Sequence, residues 1–168
     1  MLVFFHDVAL TMTSEFDRLA QAAIELGNQP VVMPIDEIQL AHAFTTLPDS
    51  ELVVGRLLRE LFDHENMHVR RIAVNAARRC KAFETEGLQE ALARKLEDSE
   101  PWVQYDAAWA IQDAGYDSAE IRQLLGFEAA KCTPADDFLL EKNKGNAELQ
   151  ARVKARKVLE GMSSKMLH

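Results

Sequence analysis

His64 and His68 bracket Glu65 in the stretch "LFDHENMHVRR", residues 61 to 71. The spacing is H-E-x-x-H. On one continuous helix, two imidazoles four residues apart point the same way. They can share a zinc ion and leave the glutamate beside the metal-bound water as general base. That chemistry needs an unbroken helix through both histidines, and the neighbouring residues argue against one. Asn66 is a favourable N-cap for a helix beginning at Met67. In a second copy of the stretch, set out below, Met67 corresponds to Pro101, a residue suited to the first turn of a helix. His64 then belongs to a turn and His68 to the helix after it. Neither a distant N-E-x-x-S-D nor a third histidine at suitable spacing follows. The expectation is a chance match between turn and surface histidines, with no metal ligated and no hydrolase.

The other reactive side chains are sparser. His6 and Asp7 are adjacent, but no motif places a Ser or Cys nucleophile for them to activate. Cys80 ends a helical stretch whose last turn carries Arg78, Arg79 and Lys81. Those charges could lower a thiol pKa, and they equally complement a helix C-terminus; a structural thiol is expected. No G-x-x-x-x-G-K or G-x-G-x-x-G occurs, so no nucleotide cofactor is implied. The basic segment from residue 68 to 81 holds His68, Arg70, Arg71, Arg78, Arg79 and Lys81. It reads either as a groove for nucleic acid or as a solvated helix face paired with acids such as Glu65, Glu84 and Asp106. Binding to labelled duplex at two salt concentrations distinguishes these.

What must position these groups is a chain of 168 residues, enough for one domain with a sizeable core. Apolar residues make up 48 %, against only 7 Gly and 5 Pro, and helix formers dominate. The formal net charge of −8 opposes general nucleic-acid binding, because the phosphate backbone repels it. Cys80 and Cys132 are far apart and form no C-x-x-C, which suits reduced thiols in the cytoplasm. The apolar start Leu2 to Phe5 is broken by His6-Asp7 and has no basic region before it, so neither a signal peptide nor a membrane span is expected. A short strand and a packed helical turn both fit it. Exposed, it would be an aggregation hazard, and a homodimer covering it is plausible.

Ser14 can cap a helix through "EFDRLAQAAIEL" that stops at Gly27-Asn28. A second helix is expected from Pro34 towards Pro48, and Ser50 can cap a third through "ELVVGRLLRELF". From there the chain repeats. "NMHVRRIAVNAARRC", residues 66 to 80, matches "EPWVQYDAAWAIQDA", residues 100 to 114. Val69, Ala73 and Ala76 align with Val103, Ala107 and Ala110, each 34 residues on. Leu57, Leu61 and Asp63 align with Leu92, Leu96 and Asp98, 35 residues on, with one residue gained or lost in the turn. A period in this range means stacked antiparallel helical hairpins, an all-α architecture of about eight or nine helices. The expected core between the copies is Val69, Ile72, Ala73, Ala76, Val103, Ala107, Ala110 and Ile111. Residues 1–49 are read as an N-terminal helical cap, 50–115 as the two repeats, and 116–168 as degenerate capping helices of the same single domain.

The pattern in "LFDHENMHVRRIAVNAA" and "LEDSEPWVQYDAAWAI" resembles HEAT repeats, in particular the short bacterial type found in bilin lyases. The resemblance covers residues 50 to 115 and implies an α-α superhelix, a short HEAT-like solenoid. It also implies a contact between Asp63 and Arg70, which the second copy, with Gln104 in place of Arg, cannot repeat. Such arrays mostly act as binding scaffolds. A non-enzymatic protein-interaction module is therefore expected, with a nucleic-acid binder or a bilin-lyase-type subunit as alternatives.

The partner surface follows from the alignment. It sets Arg71 beside Tyr105, Asn75 beside Trp109 and Arg78 beside Gln112. Within each helix these are spaced i, i+4, i+7, so they share a face off the Val-Ala-Ala stripe. That face should be at least partly exposed, and Tyr, Trp and Arg are the types most often found as interface hot spots. Trp109 could instead fill a seam between the copies.

Overall fold

The computed structural model describes residues 3–118 together with 121 and 145, with side chains from residue 14 onward. The described residues hold six α-helices and no strand: α1 (Val3–Gly27), α2 (Pro34–Phe44), α3 (Ser50–Glu60), α4 (Met67–Cys80), α5 (Leu88–Lys95) and α6 (Pro101–Ala114). The degenerate capping helices expected beyond residue 118 lie outside the described residues, as do the side chains of the apolar N-terminus.

Each boundary has a local cause. Helix α1 is continuous from Val3, so the apolar stretch is helical over Val3 to Phe5 and Ser14 lies inside the helix, not at its cap. Serine costs only a few tenths of a kcal/mol in a helix interior, roughly 0.5 relative to Ala, and the flanking Ala, Leu and Glu outweigh it. Helix α2 has Pro34 in its first turn, and Met33 before it is extended, as the residue preceding a proline must be. Its last turn is closed by hydroxyls: Thr45 Oγ1 donates to the His42 carbonyl at 2.6 Å and Thr46 Oγ1 to that of Ala43 at 2.7 Å. For α3 the cap is Asp49 and not Ser50. The Asp49 carboxylate accepts from Leu52 N at 3.1 Å, which leaves Ser50 as the first helical residue.

Asn66 caps α4 as expected, its Oδ1 accepting from His68 N at 2.8 Å. The other end of the same amide donates from Nδ2 to the Gly27 carbonyl at 2.8 Å, tying the C-terminus of α1 to the N-terminus of α4. A Cβ placed on Gly27 would lie 2.8 Å from Asn66 Oδ1, so the approach requires glycine.

Helices α4 and α6 end alike. Lys81 after α4 and Gly115 after α6, 34 residues apart in sequence, both take the left-handed conformation that closes a helix. Gly115 adopts it freely, whereas Lys81 carries a Cβ at φ 56°. Lys81→Gly is therefore expected to stabilise the fold by about 0.5–1 kcal/mol, the relief of strain exceeding the added freedom of the unfolded chain. Urea unfolding checks this, and a fall in midpoint would count against it.

Helix α4 lies at the centre, packed on α2 to one side and α6 to the other, with α1 and α3 also against it; α5 packs on α6. All eight residues expected between the copies are buried, at no more than 2 % exposure. Small alanines at 73, 76, 107 and 110 let α4 and α6 approach closely. Leu57 of α3 and Leu92 of α5 are buried behind them, as are Leu61 and Leu96, the C-caps of those two helices. Phe16 of α1 meets Phe44 of α2 edge to face at 5.3 Å and closes the far side of the core. Among the described residues no helix is long and apolar enough to cross a membrane.

Candidate functional site

The two histidines of the H-E-x-x-H stretch do not share a helix. His64 sits in the turn before α4, and its Nδ1 accepts from Asn66 N at 3.1 Å. His68 lies within the first turn of α4 and turns to Glu37 of α2, Nδ1 to Oε1 2.7 Å. Among the described residues no group of three or more His, Cys, Asp or Glu side chains is placed to hold a metal ion.

The turn has a counterpart before α6. There Asp98 Oδ1 accepts from Glu100 N at 3.0 Å, as His64 accepts from Asn66. Arg70 Nη1 donates to the His64 carbonyl at 2.9 Å, and Gln104 Nε2 to the Asp98 carbonyl at 2.6 Å. His64, not Asp63, is therefore the structural equivalent of Asp98, and the 34-residue register extends through the turn. The expected contact between Asp63 and Arg70 is replaced by two others. Asp63 is exposed and pairs with Lys95 at 2.8 Å. Arg70 is buried and crosses to Asp98 of the next copy with two parallel bonds of 2.9 and 2.8 Å. Burial opposes the charge on Asp98, but Arg70, the Glu100 N–H and Lys95 outweigh it and hold its carboxyl below the ordinary range.

A groove of about 390 Å³ runs where α2, α4 and α6 adjoin. Five of the six residues proposed from sequence line it: Arg71, Asn75, Arg78, Tyr105 and Trp109. Gln112 is exposed but is not among the residues that line it. Its other walls come from Pro34, Ile38, Arg79, Trp102 and Asp106.

The groove is cross-linked beneath its surface. Arg71 Nη1 bonds Glu37 Oε2 at 2.9 Å and Arg71 Nε bonds Asp106 Oδ2 at 2.8 Å. The two carboxylates belong to α2 and α6, so one guanidinium fastens three helices. Both carboxylate side chains are 7 % exposed and Arg71 is 18 % exposed. Burial disfavours the charge on Arg71, yet Asp106 and Glu37 more than offset it and its pKa stands above the ordinary value. Burial raises the Asp106 carboxyl, against the pull of Arg71 and Asn75.

Two turns further along α4, Arg78 pairs with Asp113, again 35 residues ahead. Arg71 and Arg78 also lie over the rings of Trp102 and Trp109, at 5.5 and 5.2 Å from the centroids. Tyr105 stands edge-on between the two indoles, at 5.6 and 6.3 Å. Wedged there it is 3 % exposed, which corrects the expectation of an exposed tyrosine. Trp109 is partly buried and packs on the core while lining the groove.

The basic segment is thus mostly engaged. Arg70, Arg71 and Arg78 bond Asp98, Asp106 and Asp113, and His68 bonds Glu37. Of the acids expected to pair with this segment, Asp106 does so. Glu65 contributes only its carbonyl, to Arg70, and Glu84 forms no ion pair among the described residues. Arg79 and Lys81 are exposed and have no carboxylate partner among the described residues. Cys80 does not have the depressed pKa its cationic neighbours could have caused: burial pushes the thiol up to about 11.

Sequence reasoning missed Glu37, Trp102 and the Asp113 pairing. A signal was present for the last: Arg71 and Arg78 are two turns apart on one helix, as Asp106 and Asp113 are on the next. The chain matches no family model, no curated protein and no solved structure.

Proposed function

We propose that this chain is a non-enzymatic interaction module, built as a short HEAT-like solenoid, that engages a protein partner along the groove of α2, α4 and α6. The solenoid reading is supported by the pairs α3/α4 and α5/α6, the close packing of α4 on α6, and the matching C-terminal caps and turns 34 residues apart. The observation that carries the functional reading is an apolar edge left in solvent beside the groove. Val31 is 71 % exposed, Met33 and Ile35 54 %, and Ile38 44 %. Ile38 continues that edge into the groove that Arg78 and Trp109 also line. Contiguous exposed aliphatics joined to Trp and Arg are the composition of an interface core.

Nucleic-acid binding through residues 68 to 81 has less support. The two cations of that segment without carboxylate partners among the described residues would give a salt slope of only about 2.

The test leaves Arg71 intact, because its charge fastens the fold. Tagged protein and the variant Ile38→Asp with Arg79→Glu are used to capture partners from the native host. The parent is expected to retain a partner that the variant loses by at least about tenfold, with helical circular dichroism unchanged. Capture of the same proteins by both would overturn the groove as the interface.

A further inference from the structure

The groove is not symmetric in charge, and that narrows what it can hold. This inference rests on the groove being the interface. Along α4 the lining residues Arg71, Asn75, Arg78 and Arg79 form one stripe at i, i+4, i+7, i+8. The charge of Arg71 is taken up by Glu37 and Asp106. Arg78 shares its charge with Asp113, and that pair is partly exposed, the side chains at 29 % and 38 %. Arg79 faces solvent with no carboxylate partner among the described residues, and Lys81 lies just beyond it. The adjoining α2 wall, Pro34 and Ile38, is apolar, and Ile35 and Met33 near it are exposed. The α4 stripe is therefore cationic and the α2 wall beside it aliphatic, on a chain whose formal net charge is −8.

We infer that the partner presents an acidic amphipathic segment, aliphatic along one side and carboxylate-bearing along the other. Its apolar side packs on Pro34 and Ile38. Its carboxylates face Arg79 and Arg78, where Arg can hold a carboxylate with two bonds. A helical segment satisfies both flanks at once, because residues three and four apart share a face. A basic segment would meet Arg79 and Arg78 head on, and like charges across an interface are strongly disfavoured.

The probe is a pair of fluorescein-labelled synthetic peptides of about 14 residues, four helical turns. They share one leucine stripe; one carries Glu along its flank and the other Lys. Anisotropy titration of the full chain is expected to show the Glu peptide binding at least about tenfold more tightly, with the preference reduced by salt. Arg79→Glu should remove most of that preference. Arg59→Glu, an equal change in net charge on the exposed part of α3 away from the groove, should leave it within about twofold. Equal binding, a preference for the Lys peptide, or the same response to both variants overturns the inference. So does failure of both peptides to bind; partner capture by the Ile38 variant then still decides separately whether the groove is an interface.

Discussion

Arg71→Ala lowers the unfolding free energy by about 3–5 kcal/mol, the cost of leaving buried carboxylates without their cation. The lost ion pairs are only part of this. Glu37 on α2 and Asp106 on α6 would face each other across the space the guanidinium filled, both nearly enclosed. Glu37 would keep His68 as a partner, and Asp106 would keep only the neutral Asn75 amide. Removing the charges together should cost much less. Arg71→Met combined with Glu37→Gln and Asp106→Asn is expected to regain more than half of the loss, because a neutral, well-filled site replaces an uncompensated one. Urea unfolding of the parent, the single variant and the triple variant checks this. An Arg71→Ala protein within about 1 kcal/mol of the parent would show that the three-helix fastening contributes little.

Arg70→Gln lowers stability by about 2–4 kcal/mol and changes its response to acid. Glutamine is the residue that α6 carries at the matching place, Gln104. It can keep the bond to the His64 carbonyl but cannot span to Asp98. Asp98 is 4 % exposed and would retain only Lys95, at 3.4 Å, and the Glu100 N–H. The sign of the pH effect follows from its depressed pKa. A carboxyl held below its unfolded value of about 3.9 stabilises the fold above that pH. The contribution is lost as pH falls through the lower, folded value. The parent should therefore lose stability steeply below about pH 4, and Arg70→Gln should lose less over the same window because Arg70 no longer holds the pKa down. Parallel acid limbs in the two proteins would separate Arg70 from the ionisation of Asp98.

The parts of this fold written in local residue types could be read directly. Pro34 and Pro101 mark helix starts, Asn66 a cap, and Gly27 a stop. The alternation of Ala and branched residues placed eight core positions without error, because a helical stripe facing a close neighbour admits little else. Asn66 and Met67 also placed His64 in a turn and His68 on the helix after it, since a cap between two histidines turns the chain. What was not legible were long side chains acting across helices. Arg70 and Arg71 are adjacent and chemically identical in sequence, yet one reaches the turn before α6 and the other locks α2 to α6. Their carboxylate partners Asp98, Glu37 and Asp106 are all supplied by other elements, so the pairing could not be read from their own repeat. Tyr105 was misplaced for the same reason. Its register position is at the groove, but the indoles one turn before and after it on α6 enclose the ring. The pairing of Arg71 and Arg78 with acids 35 residues ahead, not 34, reflects reach along the neighbouring helix.

The meeting of Gly27 and Asn66 bears on how such a sequence can drift. A side chain at 27 has no room while the amide of 66 stands 2.8 Å from its first carbon. An aspartate at 66 would still cap α4 but would bring a charged oxygen to the Gly27 carbonyl where an N–H now donates. Neither position is free to change alone, although 39 residues separate them. Lineages descending from this chain should thus either keep both residues or replace both, and the glycine that ends α1 should change only together with its partner at the cap of α4.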